Sequence, residues 1–199
     1  SGDRGCGLIY ISTDYVFDGT NPPHKITDQP KPLNKYGQTK LEGEIATLQT
    51  YPNALVLRVP VLYGPVERLD ESAVTCLLTL LKAKDEPKPV NHYEKRYPSH
   101  VNDIAKILAD LVDAVMQDSS INGIYQWSGQ EQMTKYDMVV AMAEALSLDH
   151  THLKPDSNPS TGAPRPYNSH MDTSRLEWMG ISHHTVFREG IKDCLQSYM

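Results

Sequence analysis

The sequence is poor in the features that settle a protein's class at a glance. Only three cysteines occur in 199 residues, Cys6, Cys76 and Cys194, far apart and in no Cys-x-x-Cys arrangement. That excludes a disulfide scaffold and predicts free thiols in a reducing, cytoplasmic setting. No apolar run approaches the roughly 18 residues of a membrane helix, so no span is expected. A formal net charge of -6 with no basic run argues against nucleic acid and anionic membrane as partners. The eight histidines, His150, His152, His183 and His184 among them, have no carboxylate or cysteine at metal-ligand spacing, and no metal is expected. The pattern Gly-x-Gly-x-x-Gly, whose helix holds a pyrophosphate, does not occur; Gly2, Gly5 and Gly7 match it poorly and lead into a strand.

What is present is a soluble-type composition, 39% hydrophobic, enough for a sizeable core in one domain or one and a half. Its most informative stretch is Leu33 to Leu48, where Asn34 is a fitting N-cap and Leu41, Ile45 and Leu48 recur at helical spacing. The pattern predicts a helix whose apolar stripe faces a core, with Tyr36 and Lys40 sharing one face. An ammonium near a phenol favours the phenolate, which makes the pair a general acid with its tuner. The alternative is a solvated helix face. Upstream, Leu8 to Ile11 reads as a strand buried on both faces that breaks into Ser12, Thr13 and Asp14. Ligands sit at that end of open parallel sheets, so Ser12 or Thr13 is placed to bond the oxygen that Tyr36 protonates. Local capping is the other reading of these hydroxyls.

Three ordered blocks carry a resemblance: Ser12-Thr13-Asp14-Tyr15-Val16-Phe17-Asp18-Gly19, then Tyr36-Gly37-Gln38-Thr39-Lys40, then Leu57-Arg58-Val59-Pro60-Val61-Leu62-Tyr63-Gly64. Together they resemble the extended short-chain dehydrogenase/reductases, in the branch of the dTDP-4-dehydrorhamnose reductases and the regulatory beta subunits of methionine adenosyltransferase. Arg96 to Ala105, Tyr125 to Tyr136 and Ala163 to Asn168 are more similar to the regulatory members. The resemblance implies an α/β fold: a partial Rossmann-like parallel sheet with flanking helices plus a small C-terminal substrate-type lobe, without the N-terminal strands. Residues 1–95 would be the later part of an NADP-binding domain, and 96–199 the remainder of the sheet and the small lobe, intertwined.

The same resemblance implies roles. Thr13 polarises a carbonyl, Tyr36 donates the proton, and Lys40 tunes Tyr36 and orients the nicotinamide ribose of NADP(H). Pro60, Val61 and Leu62 line the nicotinamide end, or are simply a strand end. Arg165, between Pro164 and Pro166, faces the substrate cleft or is a surface arginine. Two readings follow. One is a regulator that binds NADP(H) and docks on the methionine adenosyltransferase catalytic subunit in S-adenosylmethionine synthesis, its Thr/Tyr/Lys set vestigial. The other is an NADPH-dependent sugar reductase, and a blander third is an interaction module with a relic site. The missing glycine-rich turn suggests a fragment or truncated isoform of a longer protein, with NADP(H) held weakly or not at all, and an exposed sheet edge open to self-association.

The remainder reads as scaffold. Thr20 to Leu33 is a Pro-rich loop expected over the site. Ala54 to Val61 is a buried strand, Glu71 to Lys84 an amphipathic helix, and Val101 to Met116 another, with Asn102 or Asp103 near its start. Gly123 to Ser128 is a short strand, and Thr134 with Asp137 forms a loose capping box for a helix to about Leu146. His150 to Asn168 is a long polar loop, followed by helices at Asp172 to Leu176 and Val186 to Leu195.

Overall fold

In the computed structural model, which describes residues 7–83 and 86–199, the chain opens with β1 (Ile9–Thr13), α1 (Lys35–Thr50), β2 (Leu55–Val59), β3 (Leu62–Tyr63), α2 (Leu78–Lys82) and β4 (Lys88–Asn91). It continues with β5 (Ser99–His100), α3 (Val101–Gln117), β6 (Gly123–Gln126), α4 (Lys135–Leu146), β7 (Leu153–Asp156), α5 (Ser174–Glu177) and α6 (Phe187–Leu195). The lead-in before Gly7, with Cys6, and the expected helix end at Lys84 fall outside the described residues.

The α/β class read from the sequence is the class observed. A three-stranded parallel sheet runs in the order β1-β2-β6, with Ile9 beside Leu55 and Leu55 beside Gly123. All five residues of β2 are buried. Leu55, Leu57 and Val59 pack on Ile104, Ile107 and Leu111 of α3, while Arg58 points to the α1 face. A second core joins Leu78, Val90, Met142, Leu153, Phe187 and Ile191 beneath α2, α4 and α6.

Several sequence expectations need correction. β1 is not buried on both faces: among the described residues it pairs only with β2, and Ile11 is left 37% exposed while α1 covers Ser12. On α1 the apolar stripe is buried only in part: Leu41 packs on Val16, Phe17 and Met171 and Leu48 is half-buried, but the stripe is not the helix's buried face. Gly37 and Glu44 are its buried residues, and Ile45 is 48% exposed. Gly37 is forced inward because a Cβ there would overlap the Tyr15 carbonyl. Glu44 is drawn inward by charge: its Oε2 accepts from Arg58 Nη2 at 2.7 Å and its Oε1 from Arg58 Nε at 2.9 Å and from the Ser12 hydroxyl. Arg58 Nη1 then donates to Gln126 Oε1 at 3.0 Å, so one polar network ties α1 to all three strands.

The helix expected over Glu71 to Lys84 is one short α2 preceded by two 3-10 turns. Ser72 Oγ accepts from the amides of Val74 and Thr75 and interrupts it. Val74, Leu77, Leu78 and Leu81 are nonetheless buried as the spacing requires. α3 is capped by His100 Nδ1 on the Asn102 amide, since Asp103 is turned to the amide and hydroxyl of Thr185. The capping box at Thr134 and Asp137 is present with both of its bonds. The supposed loop after His150 contains β7, paired in parallel with β4. Pro89 and Pro155 hid both strands, and both are tolerated because, among the described residues, the sheet has two strands, each with an edge for the missing amide.

Two predictions follow from this packing. Glu44→Ala leaves the Arg58 charge buried and unpaired, and is expected to destabilise by about 3–5 kcal/mol in urea melts. The volume-matched double replacement Glu44→Gln with Arg58→Met is expected to cost clearly less than the sum of the single changes. The second prediction concerns acid. Burial holds the His24, His100 and His170 imidazoles below the ordinary range, against the pull of Asp18 and Asp28, of Asp103 and Asp193, and of Asp172. The unfolded chain takes up protons near about pH 6.5 while the folded one resists. Stability is therefore full above that pH and falls as pH drops below it. Urea midpoints are expected to be lower at pH 5.5 than at 7.5, and His100→Asn, which puts a capping oxygen in place of Nδ1, is expected to shrink the difference.

Candidate functional site

The carboxyl ends of β1 and β2 lie side by side, Thr13 beside Val59, and open onto a cleft of about 440 Å³. Thr13, Tyr36, Lys40, Pro60, Val61, Leu62 and Arg165, nominated from positions scattered over the sequence, all line it. Asn34 starts α1 by accepting from the Gly37 amide at 2.9 Å, which sets the first helical turn and Tyr36 over the end of β1. Pro60 breaks the ladder after β2, so Val59 to Leu62 form an apolar wall opposite Lys40.

The polar groups have defined partners. Lys40 Nζ donates to the Ile11 carbonyl at 2.5 Å and sits 4.5 Å from the Tyr10 ring centroid. The Tyr36 ring stands edge-on to Tyr15, with centroids 5.7 Å apart, and is 55% exposed at the mouth. Of the two hydroxyls weighed for substrate contact, Ser12 is committed to Glu44. Thr13 Oγ1 accepts from the Tyr15 amide at 3.2 Å and donates to Asp14 Oδ1 at 3.0 Å, so its oxygen and Asp14 form one unit facing the cleft.

Four polar or charged lining residues were missed as site residues: Asp14, Tyr15, Arg96 and Lys135. All lie inside the blocks that carry the resemblance, but no local pattern pairs residues so far apart. Burial pushes the Asp14 carboxyl up, with the Arg96 charge and the Ser169 and Thr13 hydroxyls opposing. Burial likewise raises the Tyr15 phenol against the pull of Arg96. Lys135 is lowered by burial first and then by the nearby charges of Arg165 and Arg96. One side of the cleft is therefore crowded with cations, the arrangement that receives an anionic group. The loop of residues 20–33, expected over the site, contributes nothing to the cleft lining. It packs instead against the 168–172 segment, where His24 bridges to Met171.

The residues present suit the nicotinamide end of a dinucleotide: an apolar wall, two hydroxyls and an ammonium at the end of a parallel sheet. Across residues 1–199 the chain matches the RmlD substrate binding domain family. It is 50% identical over 98% of its length to methionine adenosyltransferase 2 subunit beta of Bos taurus, covering 59% of that protein. The Danio rerio protein of that name is 46% identical over 96% of the chain, and covered to 60%. A dTDP-4-dehydrorhamnose reductase of Mycolicibacterium smegmatis is 30% identical over 95% of the chain, with 57% of that protein covered. The chain thus spans about three fifths of the length of these curated relatives. Among solved structures, a dTDP-4-dehydrorhamnose reductase of Clostridium acetobutylicum superposes with a TM-score of 0.81 at 26% identity, over 99% of this chain and 68% of that one. The Bacillus anthracis reductase, solved in complex with NADP, superposes at 0.79 and 24% identity over 97% of this chain and 66% of that one.

The chemistry of Asp14 can be tested directly. Asparagine has the same shape and keeps an oxygen for the Thr13 hydroxyl, so Asp14→Asn is expected to leave stability at pH 7 within about 1 kcal/mol of the original. A loss of several kcal/mol in urea titration would show that a charged Asp14 is required there.

Proposed function

The chain belongs to the RmlD substrate binding domain family, and on that premise we propose that it serves as the regulatory, non-catalytic beta subunit of a methionine adenosyltransferase. In this reading the protein binds NADP(H), associates with the catalytic subunit and modulates synthesis of S-adenosylmethionine. The observation that carries it is the high identity to named beta subunits along nearly the whole chain, set against the much lower identity to a sugar reductase. Thr13, Tyr36 and Lys40 with the wall of Pro60, Val61 and Leu62 would hold the nicotinamide end of the cofactor, and Arg96, Lys135 and Arg165 would receive an anionic group beyond it. A reducing cytoplasmic setting belongs to the same proposal, in keeping with the unpaired thiols of Cys76 and Cys194.

One observation favours a second reading. The threonine, tyrosine and lysine of a reductase all face a single cleft with a cationic side. NADPH bound there would supply a hydride, Tyr36 would give the proton to the developing oxyanion, and the cations would hold the phosphates of a nucleotide-linked keto sugar.

The two readings part under measurement. The protein in its native full length, titrated by calorimetry into a purified methionine adenosyltransferase catalytic subunit with and without NADP(H), is expected to bind. Tyr36→Phe is expected to leave binding and stimulation unchanged. Absence of binding, together with NADPH oxidation on dTDP-4-dehydrorhamnose that Tyr36→Phe lowers by about 10²–10⁴-fold, would establish the reductase instead.

A further inference from the structure

Residues 157–167 form a strap without helix or strand, exposed along most of its length, that carries Arg165 to the cleft. Pro159, Pro164 and Pro166 stiffen it, and it is held by its carbonyls and by Ser160. Asn91 Nδ2 donates to the Asn158 carbonyl at 3.1 Å. The buried Glu94 carboxylate accepts from the Ser160 amide and hydroxyl, both at 2.8 Å. Arg96 Nη1 donates to the Pro166 carbonyl at 3.2 Å, and Asn34 Nδ2 to the Pro164 carbonyl at 2.8 Å. The carbonyls on either side of Arg165 are thus both clamped.

Three of these anchors come from one segment, residues 91–96, whose Lys95 amide also donates to the Tyr167 carbonyl at 2.7 Å. Asn34 belongs to the other wall, and its side-chain amide is used at both ends: Oδ1 caps α1 on the Gly37 amide while Nδ2 holds the strap. The strap cannot swing outward without breaking that bond or pulling on the turn that carries Tyr36. We infer that Asn34 is a positioning residue that couples α1, with Tyr36 and Lys40, to the strap with Arg165, so that the two walls of the cleft keep one spacing. The inference rests on the proposal above that the cleft is a binding site with an anion-receiving side.

Asn34→Ser separates the two duties. Serine caps a helix about as well as asparagine, but its short hydroxyl does not reach the Pro164 carbonyl. The test combines backbone amide order parameters by NMR with calorimetric titration of inorganic pyrophosphate. In the unaltered protein Ala163 and Arg165 are expected to be rigid, at about 0.85, although neither lies in a helix or strand. In Asn34→Ser they are expected to fall below about 0.6 while Gly37 and Gln38 of α1 stay rigid, and pyrophosphate is expected to bind about tenfold more weakly. Asn34→Ala should loosen the strap and the first turn of α1 together. Unchanged order at Ala163 and Arg165 in Asn34→Ser would overturn the latch, and a loosened strap with unaltered pyrophosphate affinity would overturn the coupling. If the unaltered protein does not bind pyrophosphate, the anion site fails while the order parameters still decide the latch.

Discussion

Glu44 and Arg58 meet with almost no access to water, 2% and 1% exposed, and much of the remaining structure hangs on how that pair is satisfied. Two ions withdrawn from solvent stabilise little in net, because the desolvation cost offsets their attraction. Their importance lies in geometry. Each oxygen of Glu44 and each nitrogen of the Arg58 fork has a partner in one arrangement only, with Ser12 of β1 and Gln126 of β6 completing it. Gln126 Nε2 reaches on to the His24 carbonyl at 2.8 Å, extending the same network to the 20–33 loop. The guanidinium also lies 5.0 Å from the Phe17 ring centroid, which leaves its faces no polar need.

Because α1 is pinned in this way two turns beyond Tyr36, its first turn has one place to go, over the carboxyl end of β1. There the Tyr15 carbonyl meets Gly37 and the Ile11 carbonyl meets Lys40. The cleft follows from the topology: strands in one direction, ending together, leave a crevice that the helix and the segments after β2 wall off. Its opposite, cationic side comes from parts of the chain far away. Arg96 precedes β5, Lys135 opens α4, and Arg165 arrives on a strap held by Glu94 and Asn34. Burial of Lys135, with the charges of Arg165 and Arg96 nearby, disfavours its charged state.

Family membership and cleft chemistry leave a regulator and a reductase on the same scaffold, since the same side chains can hold a cofactor in either. The distinction lies in partner contacts and turnover. The strap adds a way for a binding cleft to stay set in shape without regular structure: prolines stiffen the segment, and side chains of two walls grip its carbonyls.

The sequence by itself determined the elements whose signals are local: α1 with its Asn34 cap, α3 with Ile104, Ile107 and Leu111 at helical spacing, α4 with the Thr134–Asp137 box, and β2 as an apolar run. It also singled out Thr13, Tyr36 and Lys40, in short ordered blocks, which the fold brings to one cleft. Tertiary structure decided which face of α1 is buried, since Glu44 is polar in any local window and goes inward only because Arg58 waits in β2. It decided the pairing of β4 with β7, where proline hides a strand that an edge position permits. It brought Arg96, Lys135 and Arg165 onto one side of the cleft, and gave Asn34 its second bond, 130 residues along the chain. Periodicity and capping act over one helical turn or one strand, whereas charge pairing and carbonyl capture act across whatever distance the fold closes.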